Sequence, residues 1–374
     1  MKKMTKGLVG MNETNLLKLN LGPQHPSTHG VLRLILELDG EKILSCKPDV
    51  GYLHRGMEKM AEKMTYIQYL PIVDRIDYLS GFFYSELLCR NVEKALDIVI
   101  TKRVETIRVI MLELNRIASH LLWIGAFLMD LGAVSPFFYA FRERELILKY
   151  FEKITGQRMM NNYFVFGGVR HDIFDTEDIE NFLDILDKKV KDYEKIIDAN
   201  PIFIQRTVSK GILEPETAFD GAITGVNLRA SGIKLDFRES DYLYKDYNFN
   251  PVVLDGKDAF SRYRARILEL SVSADIIRQA LEKLNKYSYL NQQLANPIGM
   301  KLPEGEYHSQ IEAPRGLASC YIKSTGEDKP YRLKWRTGSY YSVNLLRKLL
   351  KGCYLNDAIA VAGSLDIILP EVDK

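Results

Sequence analysis

Residues 15–44 carry an alternating pattern of apolar and polar positions. Val31, Leu32, Leu34, Leu36 and Leu38 are interleaved with Arg33 and Glu37, and Asp39-Gly40 supplies a hairpin turn, so this stretch predicts paired strands with one buried face. From about 57 to 194 the period lengthens to that of helices, the longest predicted over 74–95 and 104–129. In the second of these, Ile107, Ile110, Met111, Leu114, Ile117, Ala118, Leu121 and Leu128 form one apolar stripe. Glu113, Arg116 and His120 share another face of the same helix, an unusual set for a segment so apolar. An amphipathic helix follows over 176–197 and is stopped by Asn200-Pro201. Residues 211–258 are rich in turn formers, helix returns over 259–287, and the C-terminal part predicts strands at 318–324 and 331–336 with a helix near 343–350. With no internal repeat or low-complexity linker, the pattern predicts one large α+β unit spanning 1–374. Its parts are a β-rich N-terminal segment (1–50), a helical core (51–200) and a mixed C-terminal segment (201–374).

The run over 121–141 is long enough to cross a membrane, but Asp130 lies near its middle and Pro136 follows. An ionisable group at that depth costs about 2.5–3.5 kcal/mol on insertion scales. The run therefore predicts a buried core helix followed by a second element. Residues 1–10 read as no secretory signal, lacking an apolar core of signal length.

Composition narrows the chemistry. Lys+Arg 51 against Asp+Glu 49 leaves a net charge of +2, with no basic stripe, which argues against nucleic acid. The 4 cysteines, Cys46, Cys89, Cys320 and Cys353, are scattered; this excludes a disulfide scaffold or a local Cys-x-x-Cys site and fits a reducing compartment. The dinucleotide, P-loop and nucleophile-elbow signatures are missing.

Candidate chemistry gathers in a few polar groups. His25 and His29 sit in GPQHPSTHG, a loop shaped by proline and glycine; they read as structural, as proton-handling or ligand-binding, or as metal ligands without an obvious third partner. His54 and Arg55 precede a helix, and Tyr78 in DRIDY offers a hydroxyl that can donate to a carbonyl. Asp130 is an anomaly: a carboxylate inside an apolar run needs a partner, for which histidine is suited.

These segments, taken together, carry a resemblance. GPQHPSTHGV, LHRGMEK, DRIDY, ETIRVIMLELNRIASH, MDLGAVSPFFYAFRERE, ITGQRMMNNYFVFGGVR, TGVNLRASG, EAPRG and SLDIILPEVDK, in this order, resemble the NuoD-type subunits of respiratory complex I, the NADH:quinone oxidoreductase. That family is related to the large subunit of nickel–iron hydrogenases. The resemblance implies a helical bundle core with β-rich N- and C-terminal parts. It implies a peripheral subunit on the cytoplasmic face of the cell membrane, in an ion-pumping complex that uses NAD. This chain would bind no cofactor of its own; with the neighbouring subunit that carries the terminal iron–sulfur cluster, it would form the pocket where a quinone is reduced. Other peripheral-arm subunits and the membrane arm are the further implied partners. By motif, His29 and Tyr78 match the groups that hold the quinone oxygens, and Asp130 the carboxylate paired with the histidine. Arg55 and His120 match the cluster-facing side, with His25 and His54 in support.

The sequence departs from the hydrogenases where their two Cys-x-x-Cys pairs would fall: the regions read LHRGMEK and GSLDIILPEVDK, so no nickel–iron centre is expected. It departs from the complex I pattern at Leu317, where glutamate is more usual after EAPRG, and over 335–343. Two variants share the resemblance: a complex fed by ferredoxin or a deazaflavin instead of NADH, and a scaffold subunit that keeps the fold without a working site.

Overall fold

A computed structural model describes residues 16–24, 30–287, 292, 294–296 and 299–374. Strands β1 (Leu16–Leu21), β2 (Arg33–Asp39) and β3 (Lys42–Asp49) form an antiparallel sheet in that spatial order. The predicted alternation is realised: Leu34, Leu36 and Leu38 are buried on one face, with Leu36 opposite Cys46 and a bulge between Glu37 and Leu38.

Short helices α1 (Met57–Ala61) and α2 (Tyr66–Tyr69) and a 3-10 turn (Leu70–Arg75) lead into α3 (Gly81–Ala95), α4 (Lys102–Asp130) and α5 (Val134–Thr155). A minimal hairpin, β4 (Phe164–Val165) with β5 (Gly168–Val169), precedes α6 (Glu177–Ile197). The turn-rich stretch carries α7 (Pro201–Thr207), α8 (Pro215–Asp220), α9 (Val226–Arg229) and a second 3-10 turn (Phe237–Ser240) before α10 (Ala259–Leu284). A second antiparallel sheet, β6 (Gly305–Ala313), β7 (Gly316–Ser324) and β8 (Arg332–Arg336), is followed by α11 (Gly338–Leu349), α12 (Leu355–Ser364) and α13 (Leu369–Val372). The architecture is α+β, a helical core with small sheets toward both ends of the chain.

Helix α4 is the axis of the core. Thr101 caps its N-terminus by accepting from the Val104 amide, and the helix is buried almost all round, its charged residues included. Among the described residues it is the one helix long and apolar enough to cross a membrane, and 89% of its most apolar window is buried in the protein. The run over 121–141 is thus divided between two helices: α4 ends at Asp130, Gly132 turns the chain at φ +90°, and α5 begins. A second core joins the chain ends, with Leu34, Leu36 and Ile43 packed among Leu346, Val361 and Leu369.

Three local expectations are corrected. The helix predicted from 74 begins at Gly81, for a reason that matters to the site. Strand β6 hides in a polar alternation (Glu306, His308, Gln310) because one of its faces is solvated over that stretch. Helix α12 was missed because its small residues, LNDAIAVAGS, give little apolar period.

Candidate functional site

The site begins with a failure of helix propagation. Beyond the 3-10 turn, the Asp77 carboxylate accepts from the Leu79 amide at 3.0 Å, capturing a backbone donor that a continuing helix would use, and also from the Ser80 hydroxyl. Asn115 of α4 donates to the Leu79 carbonyl at 2.8 Å and pins the turn to the core. Glycine at position 81 gives the turn close packing, because a Cβ there would lie a tight 3.0 Å from the Asp74 Cβ. The turn leaves Tyr78 37% exposed while Asp77 and Asp74 beside it are buried. Partial burial raises the Tyr78 phenol above its ordinary pKa, Asp77 and Asp366 push the same way, and Arg315 and Arg144 oppose them. Tyr78 is therefore a protonated donor at neutral pH.

Beneath it lies an ionic cluster drawn from distant segments. Arg315 sits in the two-residue turn between β6 and β7, a place usually solvated, yet it is buried. Its Nη1 donates to Asp77 at 2.9 Å, its Nη2 to the Ser119 hydroxyl at 3.1 Å, and its Nε lies 3.6 Å from Asp366. Asp366 is also 3.6 Å from Arg266, whose guanidinium stacks over Trp123 at 4.4 Å. Glu371 is fully buried: Tyr84 donates its hydroxyl to one oxygen and the Ser339 amide donates to the other at 3.0 Å. Burial, reinforced by Asp77, pushes the Glu371 carboxyl up to about 7.

The segments LHRGMEK and SLDIILPEVDK are joined in space. Asp373 accepts from the Gly51 and Leu53 amides, each at 2.8 Å, and its carbonyl lies 2.9 Å from His54 Nδ1, which therefore carries the proton. His54 and Arg55 are exposed, and Arg55 donates to the Arg75 carbonyl at 2.7 Å. The cysteines are elsewhere: burial pushes the Cys46 thiol up to about 12 and raises Cys89 and Cys320 as well.

The remaining predicted residues fall in three places. His25 and His29 lie outside the described residues, so the pairing of His29 with Asp130 remains an expectation. Asp130 is half-buried at the last position of α4, a correction to the reading of a carboxylate deep in an apolar run; the apolar positions after it belong to the next helix. His120, expected on a cluster-facing side, is wholly buried. Its Nε2 is 3.0 Å from Glu269, and burial lowers its pKa against the pull of that carboxylate. Glu269 belongs to a lattice with Arg229, Arg238, Glu113, Arg116, Asp236 and Glu312 that ties α4, α9, α10 and β6 together.

Reading the sequence singled out Tyr78 but passed over Arg315, Asp366 and Glu371, although all three lie in quoted segments. The available signal was the charge of these residues within EAPRG and the otherwise apolar SLDIILPEVDK.

Comparison with known proteins is consistent across the chain. The sequence profile of the 49 kDa subunit of respiratory-chain NADH dehydrogenase matches residues 130–297 and 291–374. The NuoD-type NADH-quinone oxidoreductase subunit of Geobacillus kaustophilus (strain HTA426) is 44% identical over 367 residues, covering 97% of this chain and 100% of that protein. That of Geobacter sulfurreducens is 41% identical over 390 residues, with the same coverage. The α+β fold and these relatives define the chain as a subunit of an oxidoreductase complex. It belongs to the family of the 49 kDa subunit of respiratory-chain NADH dehydrogenase.

Proposed function

We propose that this chain, with a neighbouring iron–sulfur subunit, forms the pocket in which a quinone headgroup is reduced by an NADH-fed, ion-pumping complex on the cytoplasmic face of the membrane. The observation that carries the reading is Tyr78: a phenol kept protonated, open to the outside, on a turn fixed above buried Asp77 and Arg315. Reduction of a quinone by two electrons creates two oxygens that must each gain a proton. Tyr78 donates one from its hydroxyl, and His29, with a near-neutral imidazole oriented by Asp130, donates the other. The electrons arrive from the cluster of the neighbour, since this chain has no Cys-x-x-Cys pair. Met129, Val134 and Phe138, all exposed beside Asp130, give an apolar surface fitted to a quinone or to a partner subunit. The names of the relatives favour NADH as the donor over ferredoxin or a deazaflavin.

The test is quinone reduction by membranes that carry Tyr78→Phe or His29→Ala. Each variant is expected to lose activity by about 100-fold or more, in line with removal of a general acid, while the complex still assembles. Full inhibitor-sensitive activity in both variants would remove the assignment.

A further inference from the structure

The outer face of the second sheet carries cations that are paired in one row and unpaired in the next. Register across β6, β7 and β8 places Glu306, Lys323 and Arg332 in one cross-strand row. Lys323 is 3.4 Å from Glu306, and Arg332 is 2.6 Å from Glu58 and 3.2 Å from Glu62, so each cation of that row has a carboxylate. The two rows beyond it, His308–Tyr321–Lys334 and Gln310–Ser319–Arg336, contain no acid. Lys374 reaches the same place from the segment after α13, and a cavity of about 460 Å³ is lined by Lys334, Arg336, Lys374 and His308. Among the described residues, none of its three cations is ion-paired. Arg336 donates to the Leu317 and Ala222 carbonyls and lies over Tyr341 at 4.4 Å. Lys374 Nζ is 3.4 Å from the Thr337 hydroxyl and from the Glu371 carbonyl, and 4.8 Å from the centre of the Tyr340 ring. Dipoles and rings orient a cation but do not cancel its charge. Glu58 is the one acid on the cavity wall among the described residues, and it is already held by Arg332 and by the Trp335 amide at 3.0 Å.

We propose that this cavity binds a phosphate group, carried by a small molecule or by a lipid headgroup, with Lys334, Arg336 and Lys374 supplying the charge and His308 a ring N–H. The assignment is independent of the quinone-site reading. A phosphate carries a charge of about −1.5 to −2 near neutral pH, which matches an excess of three cations better than a single carboxylate does. Ligand cavities span roughly 300–1,000 Å³, so the space takes a phosphate together with a small organic body. The N-terminal end of α11, with Thr337 and Tyr340 on the wall, adds the positive end of its dipole. The cations also crowd one another: burial holds the Lys374 ammonium below its ordinary value, and Lys334 and Arg336 push the same way against Glu58 and Glu371. A bound dianion relieves that repulsion.

The experiment measures binding of radiolabelled pyrophosphate to the purified, assembled complex by equilibrium dialysis, alongside the phospholipid extracted from the same samples. It compares wild type, Lys334→Gln, the double variant Lys334→Gln/Lys374→Gln, and Lys323→Gln. Wild type should bind one equivalent of pyrophosphate that the double variant lacks. Lys334→Gln alone should weaken that binding by at least about tenfold, as expected for loss of one charged partner. Lys323→Gln, which removes a paired cation from the same face, should leave it unchanged. If wild type instead retains one phospholipid that the Lys334 and double variants lose, the phosphate belongs to a lipid headgroup; loss of pyrophosphate binding alone assigns a soluble ligand. Lys334 is exposed, so its single variant carries the test even where the double variant does not assemble. Equal pyrophosphate binding and equal phospholipid in wild type and Lys334→Gln overturn the proposal. So does loss of a partner subunit from the variants with bound phosphate unchanged, which would make the face a dock for an acidic protein segment.

Discussion

Two buried groups of charges in this protein are built from the same residue types and behave in opposite ways. In the lattice around α4 and α10, carboxylates are bonded directly to guanidiniums: Glu113 to Arg116, Glu269 to Arg229, Asp236 to Arg238. Burial alone would raise their pKa values, yet Asp236 is lowered to about 2 and Glu113 and Glu269 are lowered too, because the adjacent cations outweigh desolvation. Near Tyr78, Asp74 and Glu371 are equally buried but bonded to hydroxyls and amides, and they rise to about 6 and about 7. Glu312 is intermediate: it is bonded to Arg229 at 2.7 Å, but burial and nearby Asp236 leave it raised. The difference teaches that depth does not decide what a buried acid does here. A guanidinium partner fixes a charge and holds helices together; a neutral partner leaves a proton that can be exchanged.

The largest effect should come from breaking the fixed lattice. Arg229→Met strips cations from Glu269, from Glu312 at 2.7 Å and from Asp236 at 3.4 Å in one step. Uncompensated buried charge of this kind costs about 3–5 kcal/mol, so thermal unfolding should move down sharply and little chain should reach the complex. Near-normal stability would show that the lattice is not structural and would erase the contrast.

The exchangeable group makes a pH-dependent prediction. Asp74 accepts from the Ser85 hydroxyl and from the Asn162 amide at 3.1 Å, with its folded pKa above its ordinary 3.8. The folded state therefore binds the proton more tightly than the unfolded chain, and stability falls as pH rises from about 4 to about 6. Asp74→Asn keeps a polar group of the same shape without the charge. The unfolding free energy should match wild type at pH 4 and exceed it above pH 7, by at most about 3 kcal/mol. An equal difference at both pH values would mean that the variant acts through packing.

The contrast was only half legible in the sequence. The apolar stripe of α4 and the odd face of Glu113, Arg116 and His120 could be read from helical spacing. Glu269, the partner of His120, lies 149 residues away, and no local pattern reports a contact of that range. Strands β2 and β3 were readable because alternation and the Asp39-Gly40 turn agree. The turn at Tyr78 was read as helix because side-chain capture of the Leu79 amide by Asp77 leaves no trace in hydrophobic period. Asp130 looked deeply buried because the sequence, which predicted a helix followed by a second element over 121–141, did not mark the break between them at that residue. Tyr78 itself came through the resemblance of DRIDY, whereas Arg315, Asp366 and Glu371 needed the fold to bring the β6–β7 turn and the C-terminal segment together.

A surface pair sharpens the comparison from its weak end. On α6 and α10, Asp187 and Arg278 form the same carboxylate–guanidinium bond as the lattice, but their side chains are 46% and 35% exposed. Water stabilises each ion when the partner is removed, and salt screens the attraction that remains. Asp187→Asn should therefore change stability by no more than about 1 kcal/mol, and the change should shrink further in about 1 M salt, where screening reaches a few ångströms. Thermal unfolding of wild type and variant at low and high salt measures both. A loss as large as that of Arg229→Met would mean that bond type alone sets the energy; a small, salt-sensitive loss places the decisive term in desolvation, which the exposed pair largely escapes.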